Sequence, residues 1–207
     1  MGARVKVCGI TSPEDAQLAA EAGASAIGLV FWPGSPRFVD RALARRIVDA
    51  LPSFVLRVGV FVDQSLDMLT RTSEDVGLDI IQLHGSERPE MVACLPRRAL
   101  KAIRVAGDSV LDEVERFEGA AILLDTADEA RPGGTGKSFD WRLAQQVRAR
   151  VPFLVLAGGL TADNVAQAIR SVGPDAVDVS SGVESRPGKK DAARLKAFMD
   201  AVRSAGR

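Results

Sequence analysis

The chain has 207 residues, 46% of them hydrophobic, with 27 basic side chains against 27 acidic ones. A formal charge of zero supplies no field for nucleic acid or an anionic membrane, so neither is expected as a partner. Cys8 and Cys94 come without a CxxC or a Cys/His cluster, which argues against a disulfide framework or zinc site and fits a reducing cytoplasm.

No basic leader followed by an apolar run is visible, so no signal peptide is expected. No apolar run approaches the ~20 residues of a membrane helix. In chain order, Val5-Lys6-Val7-Cys8-Gly9-Ile10-Thr11 reads as a strand and its exit. Strand side chains alternate faces, so Val5 and Val7 share one and Lys6 and Cys8 the other. Ser12-Pro13-Glu14 then opens a helix with a capping hydroxyl and Pro at its first position, and Gly23 ends it. A strand at 26–31 leads into a Pro/Gly/Ser loop at 32–37, and Asp40 caps a helix to 51.

The alternation continues with a strand at 55–62, a helix at 65–76, and a strand at 79–83 closed by His84-Gly85. A short helix at 88–94, a strand at 99–105, a helix at 109–117 and a strand at 121–125 follow. The loop at 128–137 has no apolar run, and its glycines and charges suggest mobility, with closure as a lid left open. A helix at 141–150, a strand at 153–156, a helix at 164–172, a strand at 176–180 and a helix at 192–202 complete the chain. Strands alternating with helices imply parallel pairing and right-handed crossovers. Eight such units predict an α/β fold: one (β/α)8 TIM barrel domain over residues 1–207. An open flavodoxin-like sheet would use fewer units.

Barrel enzymes act at the C-terminal ends of the strands. Strand parity puts Lys6 with Cys8, Gln82 with His84, Leu123 with Asp125, and Asp178 with Ser180. If these faces point inward, they converge on one pocket at the barrel mouth. The opposite faces, such as Ile81/Leu83 and Val177/Val179, suit packing under helices. Gly158-Gly159-Leu160 and Ser181-Gly182-Val183 follow the last two strands, where glycine lets backbone N–H groups approach phosphate oxygens. Arg37 lies in a loop stiffened by Pro33 and Pro36, and its fork suits a carboxylate or a second phosphate. Cys8 and Asp125 come from strands on opposite sides of the ring, an arrangement for a base and an acid on two faces of one ligand. Cys94 is expected to be buried and inert. His84, the only histidine, lacks a G-x-S-x-G elbow and is expected to line the pocket or serve structure.

With these residues in order, the chain resembles the phosphoribosylanthranilate isomerases of tryptophan biosynthesis. The likeness rests on Lys6-Val7-Cys8-Gly9-Ile10-Thr11, Ser35-Pro36-Arg37, Gln82-Leu83-His84-Gly85, Leu124-Asp125 and Gly133-Gly134-Thr135-Gly136 with Phe139-Asp140-Trp141. It continues through Gly158-Gly159-Leu160 with Asn164, and Asp178 to Glu184 with Gly188 and Lys190-Asp191. The resemblance implies an Amadori rearrangement of a small phosphosugar, with Asp125 as general acid and Cys8 as general base. Arg37 would hold the anthranilate carboxylate. Gly158, Gly159, Ser181 and Gly182 would hold the phosphate, and Lys6, His84 and Asp178 would line the pocket. No metal or cofactor is implied. A monomer is expected, with a homodimer left open.

The proposed pair carries physical demands. A free thiol has a pKa of about 8.5, so Cys8 needs help toward thiolate, for which Lys6 is the nearest cation. Asp125 must stay protonated well above ~3.9. The related isomerases of histidine biosynthesis use two aspartates where this chain has Cys8 and Asp125. Indole-glycerol-phosphate synthases need a lysine and glutamates that the acids here do not match.

Overall fold

The computed structural model describes residues 2–105, 109–125 and 141–206, for Trp141 the backbone alone. The loop expected at 128–137 and the motif at 133–140 lie outside the described residues. The elements run β1 (Arg4–Cys8), α1 (Pro13–Ala22), β2 (Ala26–Val30), α2 (Arg41–Asp49), β3 (Leu56–Phe61), α3 (Leu66–Val76), β4 (Ile80–Leu83) and α4 (Pro89–Ala93). Then come β5 (Arg98–Arg104), α5 (Val110–Arg116), β6 (Ala121–Asp125), α6 (Trp141–Arg148), β7 (Leu154–Ala157), α7 (Val165–Val172) and β8 (Ala176–Val179). A hairpin of β9 (Glu184–Arg186) and β10 (Lys189–Lys190) precedes α8 (Ala192–Ala205).

Strands β1 to β8 close into a parallel barrel in sequence order. Closure sets Lys6 beside Asp178 across the β1–β8 seam. The helix starts follow the predicted capping chemistry: Ser12 Oγ accepts from Asp15 N at 3.2 Å, and Asp40 Oδ1 from Leu43 N at 2.7 Å. Each cap satisfies a backbone donor that the first helical turn leaves open. The β9–β10 hairpin has no counterpart in the sequence reading. It is short and charged, without alternating apolar residues, and only Pro187-Gly188 at its turn signals it.

Parity sorts the core into two layers. Val5, Val7, Ile81, Leu83, Val177 and Val179 belong to the shell between barrel and helices. Leu100, Ala102, Leu123, Val155, Ala157 and Ala176 pack inside the barrel. Against the shell, α2 presents Ala44, Ile47 and Val48 and turns Arg41, Arg45 and Arg46 to solvent. Each large side chain buried this way contributes about 1.5–3 kcal/mol relative to exposure, which holds the strand ends in place. Cys94 is exposed rather than buried. It follows α4, a five-residue helix that sets only Met91 and Val92, both partly buried, against the core, and the thiol lies off that side.

Candidate active site

At the C-terminal mouth a cavity of about 470 Å³ receives Cys8, Arg37, His84, Asp125, Gly158, Gly159, Asp178 and Ser181. Gln82, Arg104, Trp32, Leu160 and Ser180 complete much of its wall. The four inward pairs predicted from parity therefore meet at one end of the barrel through their upper members. Lys6 lies one layer deeper, beside a cavity at the opposite end, and Gly182 sits behind the wall.

Cys8 and Asp125 open onto this cavity from β1 and β6. The thiol has room because β2 carries Gly28 beside it: a Cβ there would sit 2.7 Å from Cys8 Sγ and 3.2 Å from Lys6 Nζ. Lys6 Nζ donates to Asp178 Oδ1 at 3.0 Å, with both side chains nearly buried. Burial alone would lower the lysine's pKa, but Asp178 and Cys8 together outweigh it and raise the ammonium above its ordinary value. For Cys8, burial pushes the thiol up, Lys6 pulls it down and Asp178 pushes it up again. The net shift is upward. Lys6 is thus chiefly the counter-ion of Asp178, and its pull on the thiol loses to desolvation.

Arg37 is held from below. Its Nε and Nη2 donate to Glu184 Oε1 and Oε2 at 2.8 and 2.6 Å. Glu184 Oε1 also accepts from Lys190 Nζ at 2.8 Å, and that ammonium donates to Cys8 O at 2.6 Å and Ser180 O at 3.3 Å. Burial would raise the Glu184 carboxyl, but Arg37 and Lys190 hold it below its ordinary range. Two of the guanidinium's five N–H groups are used this way, leaving the Nη1 group for a ligand anion. Gly9 makes the approach feasible: it has φ +73°, and a Cβ there would collide with Arg37 Cδ. The hairpin thus ties the Arg37 loop to the thiol strand. Sequence reasoning placed Glu184 and Lys190 only inside a motif, because their roles depend on a contact spanning 147 positions.

The glycine loops adjoin. Gly158 and Gly159 have φ of 93° and 61°, which favours glycine. Asn164 closes the loop, donating to Gly159 O at 3.0 Å and accepting from Thr161 N at 2.9 Å. A Cβ on Gly182 would run into the Leu160 carbonyl oxygen, so this glycine lets the two loops touch. Gly158, Gly159 and Ser181 line the same cavity as Arg37.

A closed parallel eight-stranded barrel whose C-terminal mouth gathers a thiol, a carboxyl group, an arginine and two glycine loops has the form of a barrel enzyme. The family model for N-(5'phosphoribosyl)anthranilate (PRA) isomerase matches residues 5–201. The N-(5'-phosphoribosyl)anthranilate isomerase of Pseudomonas paraeruginosa is 54% identical over 206 residues, covering 99% of this chain and 97% of the relative. The crystal structure of phosphoribosyl anthranilate isomerase from Thermotoga maritima superposes with a TM-score of 0.92 at 43% identity, covering 98% of this chain and 99% of that one. A structure of such an enzyme in complex with reduced 1-(o-carboxyphenylamino)-1-deoxyribulose 5-phosphate gives a TM-score of 0.90 at 41% identity, with the same coverage. The chain belongs to the phosphoribosylanthranilate isomerase family of tryptophan biosynthesis, and it is an isomerase. Among the described residues no helix is long and apolar enough to cross a membrane.

Proposed function

We propose that this chain, as a single barrel domain over residues 1–207 in the cytoplasm, isomerises N-(5-phosphoribosyl)anthranilate to 1-(2-carboxyphenylamino)-1-deoxyribulose 5-phosphate. Asp125, in its protonated form, gives a proton to the ribose ring oxygen, and the C1–O bond breaks to leave a Schiff base. Cys8 as thiolate removes the C2 proton, and the resulting enolamine tautomerises to the ketone. The chemistry is proton transfer alone, so the proposal includes no metal or cofactor. The observation that carries it is that Cys8 and Asp125 open onto one cavity from strands on opposite sides of the barrel, with the glycine loops between them.

Each other group has a place in the scheme. The Arg37 Nη1 group takes the anthranilate carboxylate. Backbone N–H groups around Gly158, Gly159, Ser181 and Gly182 take the phosphate. Asp178, neutralised by Lys6, orients sugar hydroxyls. The raised Cys8 pKa makes the thiolate a minority species at neutral pH, but a strong base once formed. Every residue invoked comes from one chain, so the proposed chemistry is that of a monomer, with a homodimer left open. Consumption of phosphoribosylanthranilate by purified protein, followed by its fluorescence, tests the proposal. Turnover in buffer with chelator supports it, and tight binding without turnover overturns it.

A further inference from the structure

The strand end that carries His84 is built more firmly than a pocket lining requires. His84 N donates to Phe61 O at 2.8 Å. The next residue, Gly85, is gripped on both sides: its N–H donates to the Glu87 carboxylate at 3.0 Å, and its carbonyl accepts from Lys101 Nζ at 2.6 Å. Lys101 and Glu87 form an ion pair at 2.9 Å, with both side chains only 1% exposed. Glu87 also accepts from Asp63 N, and Asp63 Oδ1 accepts from Ser86 N. A buried pair of this kind is a weak source of net stability. Its evident effect here is to fix one turn.

The imidazole is fixed as well. Gln82, 1% exposed, places its Nε2 amide 2.9 Å from His84 Nδ1. In this amide orientation Gln82 Nε2 donates to His84 Nδ1, which places the ring proton of that tautomer on Nε2. That Nε2 lies 3.7 Å from Asp125 Oδ2. The separation is longer than a hydrogen bond and within reach of one after a small shift of either side chain. Gln82 Oε1 is buried and has no hydrogen-bond partner among the described residues, although Gln82 lines the cavity.

We propose that Gln82 and His84 form a positioning relay for Asp125. The Gln82 amide sets the His84 tautomer, and the His84 Nε2–H engages Asp125 Oδ2 in the loaded site and orients the carboxyl group. A ligand hydroxyl donating to Gln82 Oε1 holds the amide in the orientation that sets this tautomer. Sugar binding and carboxyl orientation are thereby coupled through three consecutive groups. The inference rests on Asp125 acting as the acid.

Because His84 is the only histidine in the chain, its ring nitrogens can be observed alone. In protein labelled with ¹⁵N-histidine, the neutral ring is expected to carry its proton on Nε2, the tautomer that the Gln82 amide selects. In Gln82→Leu the two tautomers mix. A wild-type ring protonated on Nδ1 overturns the proposal without any variant having to fold. In kinetics, His84→Asn lowers kcat by about 10- to 100-fold with KM within about twofold, the size expected of a positioning hydrogen bond. His84→Gln, whose amide extends toward the Nε2 position, restores most of kcat. In an Asp125→Asn background the His84→Asn loss disappears. If Asp125→Asn turns over normally, the acid assignment itself is wrong. If Asp125→Asn is impaired while His84→Asn retains normal kcat, the acid stands and the relay falls.

Discussion

Replacing Glu184 with Gln separates the structural and functional duties of the group beneath Arg37. The glutamate side chain is 3% exposed and faces two cations, Arg37 at 2.6 Å and Lys190 at 2.8 Å, and the Lys190 side chain is fully buried. Gln keeps the shape but turns one carboxylate oxygen into a donor, which then meets either the guanidinium or the ammonium. Removing one partner from a buried pair costs about 3–5 kcal/mol. For a domain of this size that corresponds to a Tm drop of roughly 6–20 °C. The difference from wild type depends on pH in a defined direction. Because Glu184 titrates below its usual 4.5 in the folded chain, its stabilisation is complete above that value. It disappears as pH falls through the lower folded pKa, where the two proteins converge.

The functional consequence is distinct from the thermal one. With Arg37 no longer braced, KM for phosphoribosylanthranilate rises about tenfold or more, the equivalent of ~1.4 kcal/mol of lost carboxylate contact. Adding Lys190→Met removes the stranded ammonium and recovers part of the stability, while KM stays high. Calorimetry from pH 3 to 8 beside steady-state kinetics at neutral pH measures both effects. A Tm within 2 °C of wild type together with an unchanged KM refutes the reasoning.

Three further outcomes follow from the same geometry. Arg37→Ala raises KM for the anthranilate substrate well beyond its effect on kcat, and an unchanged KM removes Arg37 from carboxylate binding. Gly182→Ala forces the Leu160 carbonyl aside and weakens competitive inhibition by inorganic phosphate at least tenfold, with an unaltered inhibition constant counting against the cradle. Burial raises the Cys8 thiol, so the rate of its alkylation by iodoacetamide climbs with pH through the neutral range, by about tenfold per unit while the thiol is mostly protonated. An alkylation rate flat from pH 6 to 9 contradicts a thiol raised by burial.

Much of the fold was legible because it repeats one local rule. Every inward pair predicted by alternation, from Lys6/Cys8 to Asp178/Ser180, falls on the predicted side of its strand, since a period of two tolerates small errors at strand ends. Helix starts at Ser12, Asp40 and Ser65 were equally readable, because a cap is a contact within three positions. The Arg37–Glu184–Lys190 cluster was not, since hydrogen bonds between distant segments leave no periodic trace. Cys94 failed for a related reason: burial depends on whether α4 packs, and five residues do not build an amphipathic face. Lys6 shows the limit of parity. Its face was right, but only the barrel seam reveals that Asp178 claims its charge.

Turnover of phosphoribosylanthranilate by Cys8→Ser and Asp125→Asn, with binding of a reduced product analogue titrated in parallel, tests the central claim most directly. Each substitution removes one proton-transfer group and leaves the phosphate cradle and Arg37 in place. The account predicts that each lowers kcat by about 10²–10⁴-fold, while analogue affinity stays within severalfold of wild type. A Cys8→Ser enzyme turning over within tenfold of wild type contradicts it.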